Sequence, residues 1–181
     1  MKQRLIIIAV VLSFVALVTV SQALAVSAKS IDVGVKKSLA MLKDIIGGNE
    51  ILKKAEGVLV FPSVFKAGFG LGGEYGEGAL VIDGKTVDYY STAAASIGFQ
   101  LGAQKKTIII AFMDKDAFSN FRNSTGWKVG ADASVAVIAV GVDGSIDTAK
   151  TNQPIVAFVF DQKGLMYNLT LEGAKITKLV R

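Results

Sequence analysis

The chain has 181 residues, 20 Lys and Arg against 15 Asp and Glu, a formal net charge of +5, and neither cysteine nor histidine. Without those two residue types, disulfides, thiol nucleophiles, thiolate or imidazole metal sites and histidine acid–base chemistry are all excluded. Any catalysis would rest on carboxylates, hydroxyls or lysines, and the length suits one domain.

The first segment reads as a leader. Lys2 and Arg4 precede an apolar run, Leu5 to Val20, broken only by Ser13 and Thr19. Ser21-Gln22-Ala23-Leu24-Ala25 then supplies small residues at the spacing a signal peptidase requires. The pattern predicts a signal peptide over residues 1–25, cleaved after Ala25, with Ala28 as the second choice. An uncleaved anchor is the alternative, although the run is slightly short for a membrane span of roughly 20 residues. Losing Lys2 and Arg4 takes the net charge from +5 to +3, a mild basic bias that favours an anionic surface such as lipid head groups. Residues 29–181 are expected to form a single domain, long enough to bury roughly 70% of the surface of its unfolded chain.

Ser30 to Ile46 is predicted to be a helix, with Ile31, Val35, Leu39, Leu42 and Ile46 on one stripe, Ser30 as its cap and Gly47-Gly48 as its end. Asn49 is expected to cap a second helix, Glu50 to Ala55. From Gly57 the period becomes that of strands. Val58 to Phe61 reads as a buried strand stopped by Pro62. Lys66 to Gly73 is a glycine-rich strand. Ala79 to Ile82 and Thr86 to Tyr90 flank Asp83-Gly84, a two-residue hairpin signal. Ser96 to Ala103 and Thr107 to Met113 follow. Asp114 is expected to cap a helix from Lys115 to Arg122 with Phe118 and Phe121 inward. Further strands are predicted at Lys128 to Val140, Ile155 to Phe160 and Leu165 to Leu171, with turns at Asp143-Gly144 and Asp161 to Gly164. An edge strand is predicted at Ala174 to Val180. The fold class is α+β, with N-terminal helices packed on a mostly antiparallel β-barrel or sandwich of about eight strands.

Gly68-Phe69-Gly70-Leu71-Gly72-Gly73 matches the GxGxxG pattern of dinucleotide sites. Such a site needs a strand-to-helix turn with a helix N-terminus facing the phosphate. Here Glu74-Tyr75-Gly76-Glu77-Gly78 leads into another strand, so no cofactor is expected. Gly68, Gly70 and Gly72 share one parity, and Gly98 and Gly102 repeat the device on a later strand. A strand face without side chains lets another element approach closely. Each glycine costs roughly 0.5–1 kcal/mol against alanine, so the row predicts either tight packing or curvature at a barrel corner, or a groove for an apolar ligand such as an acyl chain. Glu74 and Glu77 could serve as paired carboxylates, but no aromatic-lined sugar cleft accompanies them, and no enzyme activity is expected.

Three blocks, "GVLVFPSVFKAGFGLGGEYGEGALV", "YYSTAAASIGFQLGAQKKTIIIAFM" and "PIVAFVFDQKGLMYNLTLEGAKITKL", strongly resemble the SYLF domain, a lipid-binding domain of bacteria and eukaryotes. The resemblance runs from about Val33 to Leu179. It implies binding of phosphoinositide-like or other anionic phospholipid head groups at membrane surfaces. For bacterial members it implies an exported, single-domain protein, periplasmic or secreted and peripherally membrane-associated. It supplies no catalytic signature, and the actin binding of eukaryotic members, tied partly to extra regions, is not carried over.

Candidate lipid contacts are the lysines. Lys36, Lys37 and Lys43 lie off the apolar stripe of the first helix, as in a helix lying at a bilayer interface. Lys53 and Lys54 extend that patch, Lys105 and Lys106 form a second one, and Lys66 precedes the glycine strand. Each lysine near an anionic surface contributes about 1 kcal/mol. The expected partner is an anionic lipid or membrane surface, without nucleic acid or metal. A structural or protein-interaction domain of the cell envelope, with no lipid ligand, is the alternative.

Overall fold

The computed structural model describes residues 26–140, 152–164, 171 and 173–181. The predicted leader, the Asp143-Gly144 turn and all but the last residue of the predicted Leu165 to Leu171 strand lie outside these residues.

Helix α1 spans Ala28–Lys43. Its cap is Ser27, whose side chain accepts the Ser30 N–H at 3.2 Å, so the helix starts and stops earlier than its periodicity predicts. Ile31, Val35 and Leu42 are buried as expected, but Ile46 is 84% exposed. The chain leaves the helix at Asp44, so the helical period no longer applies there, and Ile45 turns inward instead. Gly47, at φ 82, makes the turn into helix α2, Gly48–Lys54, which starts ahead of the expected Asn49 cap.

Strand β1 covers Gly57–Ile82 and strand β2 covers Lys85–Phe112. Asp83 and Gly84, with φ of 50 and 74, join them in a tight hairpin, as the sequence predicts. The six strands expected across this region are two continuous ones. Pro62 does not stop β1, because a register shift between Phe61 and Val64 accommodates its missing N–H. A straight strand of this length would run about 86 Å, far beyond the ~38 Å diameter of a compact domain of this size. The hairpin must therefore curl. Its register shifts, between Phe61 and Val64, Gly68 and Gly70, and Leu80 and Val81, are where it does so.

β2 is central. β1 pairs along nearly all of one side. On the other side, β5 (Ile155–Gly164) pairs with residues 104–112 and β6 (Lys175–Leu179) with residues 89–93. The short β3 (Trp127–Lys128) pairs with β6, and β4 (Ala136–Ala139) runs parallel to β5. The result is a mixed, curled half-barrel sheet, eight strands when β1 and β2 are each counted as two segments, with the helices packed on it.

Three expectations are corrected. Lys128 to Val140 is not one strand, because Gly130 turns at φ 87 and the Asp132 carboxylate accepts the Lys128 N–H. Residues 161–164 are not a turn but continue β5, with Gly164 opposite Gln104. The last strand is not an edge, since β6 lies between β3 and β2. Helix α3, Lys115–Asn123, forms as predicted, with the Asp114 carboxylate accepting the Ala117 N–H at 2.9 Å.

Alternate residues of the same strands enter two cores. Leu59, Phe61, Ile108, Ile110 and Phe112 meet Tyr90, Phe121 and Trp127 in an aromatic core closed by α3. Val58, Val60, Ile109, Ala111 and Phe158 meet Ile31, Val35, Leu42 and Ile51 under α1 and α2. Burial on both faces explains why these strands are continuous apolar runs without alternation.

Candidate functional site: an apolar cleft between the first helix and the curled hairpin

The start of α1 rests on the first bend of β1. Gly34 makes this possible: a Cβ there would lie 2.7 Å from Pro62 Cβ. The second half of β1 folds back over the first. A Cβ on Gly78 would lie 2.1 Å from the Val60 carbonyl oxygen, and one on Gly76 would lie 2.7 Å from a Val64 methyl. The neighbour that requires bare backbone here is the same strand.

Between helix and bend lies an open cleft of about 600 Å³, lined mainly by Val26, Val33, Pro62, Phe65 and Tyr75, with Ser30 and Glu77 as polar members. Val33 is 64%, Phe65 59% and Tyr75 48% exposed. Lys105 Nζ lies 5.5 Å from the centroid of the Phe65 ring, which sets a cation at the rim.

The polar end is organised by Glu77. Its Oε1 accepts the Tyr75 hydroxyl at 2.8 Å, and its Oε2 accepts the Val26 N–H at 3.1 Å and an Arg181 guanidinium N–H at 2.5 Å. Arg181 also donates to the Val26 carbonyl. Partial burial first, then the hydrogen bond to Glu77, push the Tyr75 hydroxyl up to about 12.

α1 is tied to the hairpin by Asp32, whose carboxylate accepts Thr86 Oγ1 at 2.9 Å and the Tyr89 hydroxyl at 3.0 Å. Burial, followed by this hydrogen bond, raises the Tyr89 pKa above the ordinary tyrosine range. A smaller pocket of about 390 Å³ lies at the other end of the helix, where Leu39, Leu52, Val58 and Val81 are joined by Lys43, Lys53 and Asp83.

The predicted lysines are thus spread over several places. Lys36, Lys37, Lys43, Lys53 and Lys54 are exposed on α1 and α2, and two of them, Lys43 and Lys53, share the smaller pocket. Lys105 stands at the rim of the larger cleft. Lys66 is buried opposite Gln104. Lys106 is buried in an ion pair with Glu74 at 3.0 Å. Both acids of the conceivable carboxylate pair are therefore held by cations, Glu74 by Lys106 and Glu77 by Arg181. In the glycine row, Gly68 stands opposite Gly102 and Gly70 opposite Gly98, on either side of a register shift, and Gly72 faces Ser96.

Sequence reasoning missed Val26, Val33, Phe65 and Arg181 as members of one site. Phe65 and Val33 carried a faint signal, since both are large apolar residues off their element's buried parity. Arg181 carried none, because its partners are distant in sequence.

Among the described residues no helix is long and apolar enough to cross a membrane. Residues 93–179 match the model of a family, Ysc84, described as Las17-binding protein actin regulator. No curated protein matches the chain. The family match spans β2 from Ala93 to the end of β6, and the lining of the cleft precedes it in sequence.

Proposed function

We propose, from the premise that this chain is a SYLF domain protein, that it is an exported, non-catalytic lipid-binding protein acting at anionic membrane surfaces. The observation that carries the reading is the cleft of about 600 Å³ with an apolar lining, exposed aromatic and aliphatic side chains at its mouth, and Lys105 beside Phe65. Its size falls in the range of small-ligand sites, roughly 300–1,000 Å³. An acyl chain would replace water along Val33, Pro62 and Phe65. The head group would stay near Lys105, with the exposed lysines of α1 and α2 drawing the protein to a negative surface.

Co-sedimentation with vesicles tests this. The protein should pellet with vesicles containing phosphatidylserine and much less with phosphatidylcholine alone, and Phe65→Asp should abolish most of the difference. Equal pelleting with both vesicles, or none with either, overturns the proposal.

A second reading is a protein-docking domain of the cell envelope. It is favoured by the description of the matched family, which names a protein, Las17, as what is bound. Native mass spectrometry of the purified protein separates the two. A co-purifying lipid supports the first reading, and a lipid-free protein with a stable protein partner supports the second.

A further inference from the structure

Glu77 is a nearly buried carboxylate, its side chain 5% exposed, and its Oε2 accepts the backbone N–H of Val26 at 3.1 Å. Val26 is also the residue that follows the predicted cleavage point after Ala25. The two facts are independent, one resting on geometry and one on the spacing of small residues in the leader.

We propose that signal-peptide removal creates an α-ammonium on Val26 that forms an ion pair with Glu77 and completes the polar end of the cleft. The proposal rests on the exported reading above but not on lipid binding. In the covalent step a signal peptidase adds water across the Ala25–Val26 peptide bond. The Ala25 carbonyl carbon gains the oxygen and leaves as a carboxylate on the leader. The Val26 nitrogen takes up protons to become –NH₃⁺, its ordinary state below a pKa of about 7.7–8.0.

Before cleavage, Val26 offers Glu77 one neutral amide donor. After cleavage it offers three donors and a full charge at the same position. Two cations, the ammonium and Arg181, then share one carboxylate that also accepts the Tyr75 hydroxyl. The polar end gains a net positive charge on processing, in a place lined by Ser30 and the first residues of α1, which suits an anionic ligand group over a neutral one.

The position gives the idea a sign that can be measured. A positive charge just ahead of a helix N-terminus is ordinarily unfavourable, because it opposes the helix dipole. Acetylating the amine of a protein that begins at Val26 removes that charge and keeps one N–H donor. For an unpaired terminus, acetylation should therefore leave stability unchanged or raise it. For the ion pair it should lower the folding equilibrium constant several-fold.

Urea denaturation at pH 7 compares the free-amine and acetylated proteins, each with Glu77 and with Glu77→Gln. The expected result is a several-fold loss on acetylation with Glu77 and none in the Glu77→Gln variant. If Glu77→Gln does not fold, Arg181→Gln serves, since removing the competing guanidinium should enlarge the acetylation effect. No loss on acetylation in the Glu77 protein overturns the ion pair, whatever the vesicle results. Intact mass of the protein expressed with its full leader tests the processing step. A chain beginning at Val26 is expected, and one beginning at Lys29 or retaining residues 1–25 overturns it.

Discussion

Lys106 is the most deeply buried cation among the described residues, at 1% exposure, and its ammonium lies 3.0 Å from both oxygens of Glu74. Removing one partner of such a pair strands the other charge in a poorly solvated place, which costs about 3–5 kcal/mol. Lys106→Ala should lower unfolding free energy by that amount in urea titrations, whereas Lys106→Met combined with Glu74→Leu should recover most of it. Tyr75 carries a pH dependence. Its folded value of about 12 lies above the ordinary 10.0, so the folded chain holds a proton that the unfolded chain releases first. The associated stability is complete below pH 10 and is lost as pH rises toward about 12. Tyr75→Phe should flatten this alkaline loss in thermal melts, leaving the smaller share from Tyr89 and Tyr90, whose values are also raised by burial. At this scale the sequence was readable where partners are local. The Asp114 cap and the Asp83-Gly84 turn need only their neighbours. Lys106 and Arg181 were not, since their partners lie 32 and 104 residues away.

At the scale of elements, α1 is held against the sheet by three devices: its buried stripe, the Asp32 bonds to Thr86 and Tyr89, and the contact of Gly34 with Pro62. Ile31 of the stripe and Gly34 both line the cleft, and at Gly34 no side chain fits without moving the helix or Pro62. Gly34→Val should therefore lift the start of α1 from the bend and cost about 1–3 kcal/mol through overpacking. It should also weaken vesicle binding more than it weakens the fold, since Val26, Ser30 and Val33 all line the cleft. Co-sedimentation under conditions where circular dichroism shows the variant fully folded would check this, with unchanged binding as the contrary result. The helices were legible from their stripes, and α1 differed only at its ends, where Ile46 follows the period but not the helix. The strands were located but divided wrongly. Pro62 and the glycines look like stops in a sequence, yet in a curled hairpin they are the points of bending, which the paired backbone passes through.

At the scale of the whole molecule, the α+β class with helices first and antiparallel pairing dominant was visible from the change of period at Gly57. The parallel β4–β5 pair and the inner place of β6 were not, because both depend on contacts across the chain that no local pattern encodes. Close approach occurs at Gly76 and Gly78, where β1 meets itself, and not at a position of the predicted row Gly68, Gly70 and Gly72 for which a neighbour is described. The cleft was the least legible feature, since its walls come from the helix start, the bend and the fold-back, and only curvature brings them together.

The inner position of β6 also governs when the sheet can be finished. β2 emerges early in synthesis, but its flank at residues 89–93 is covered only by Lys175–Leu179. Until then the ribosome has released a strand with one open hydrogen-bonding edge, a surface that recruits other chains, and its distant pairing is slow to form. An edge left open until the final strand arrives is where an incomplete chain would pair with its neighbours and aggregate.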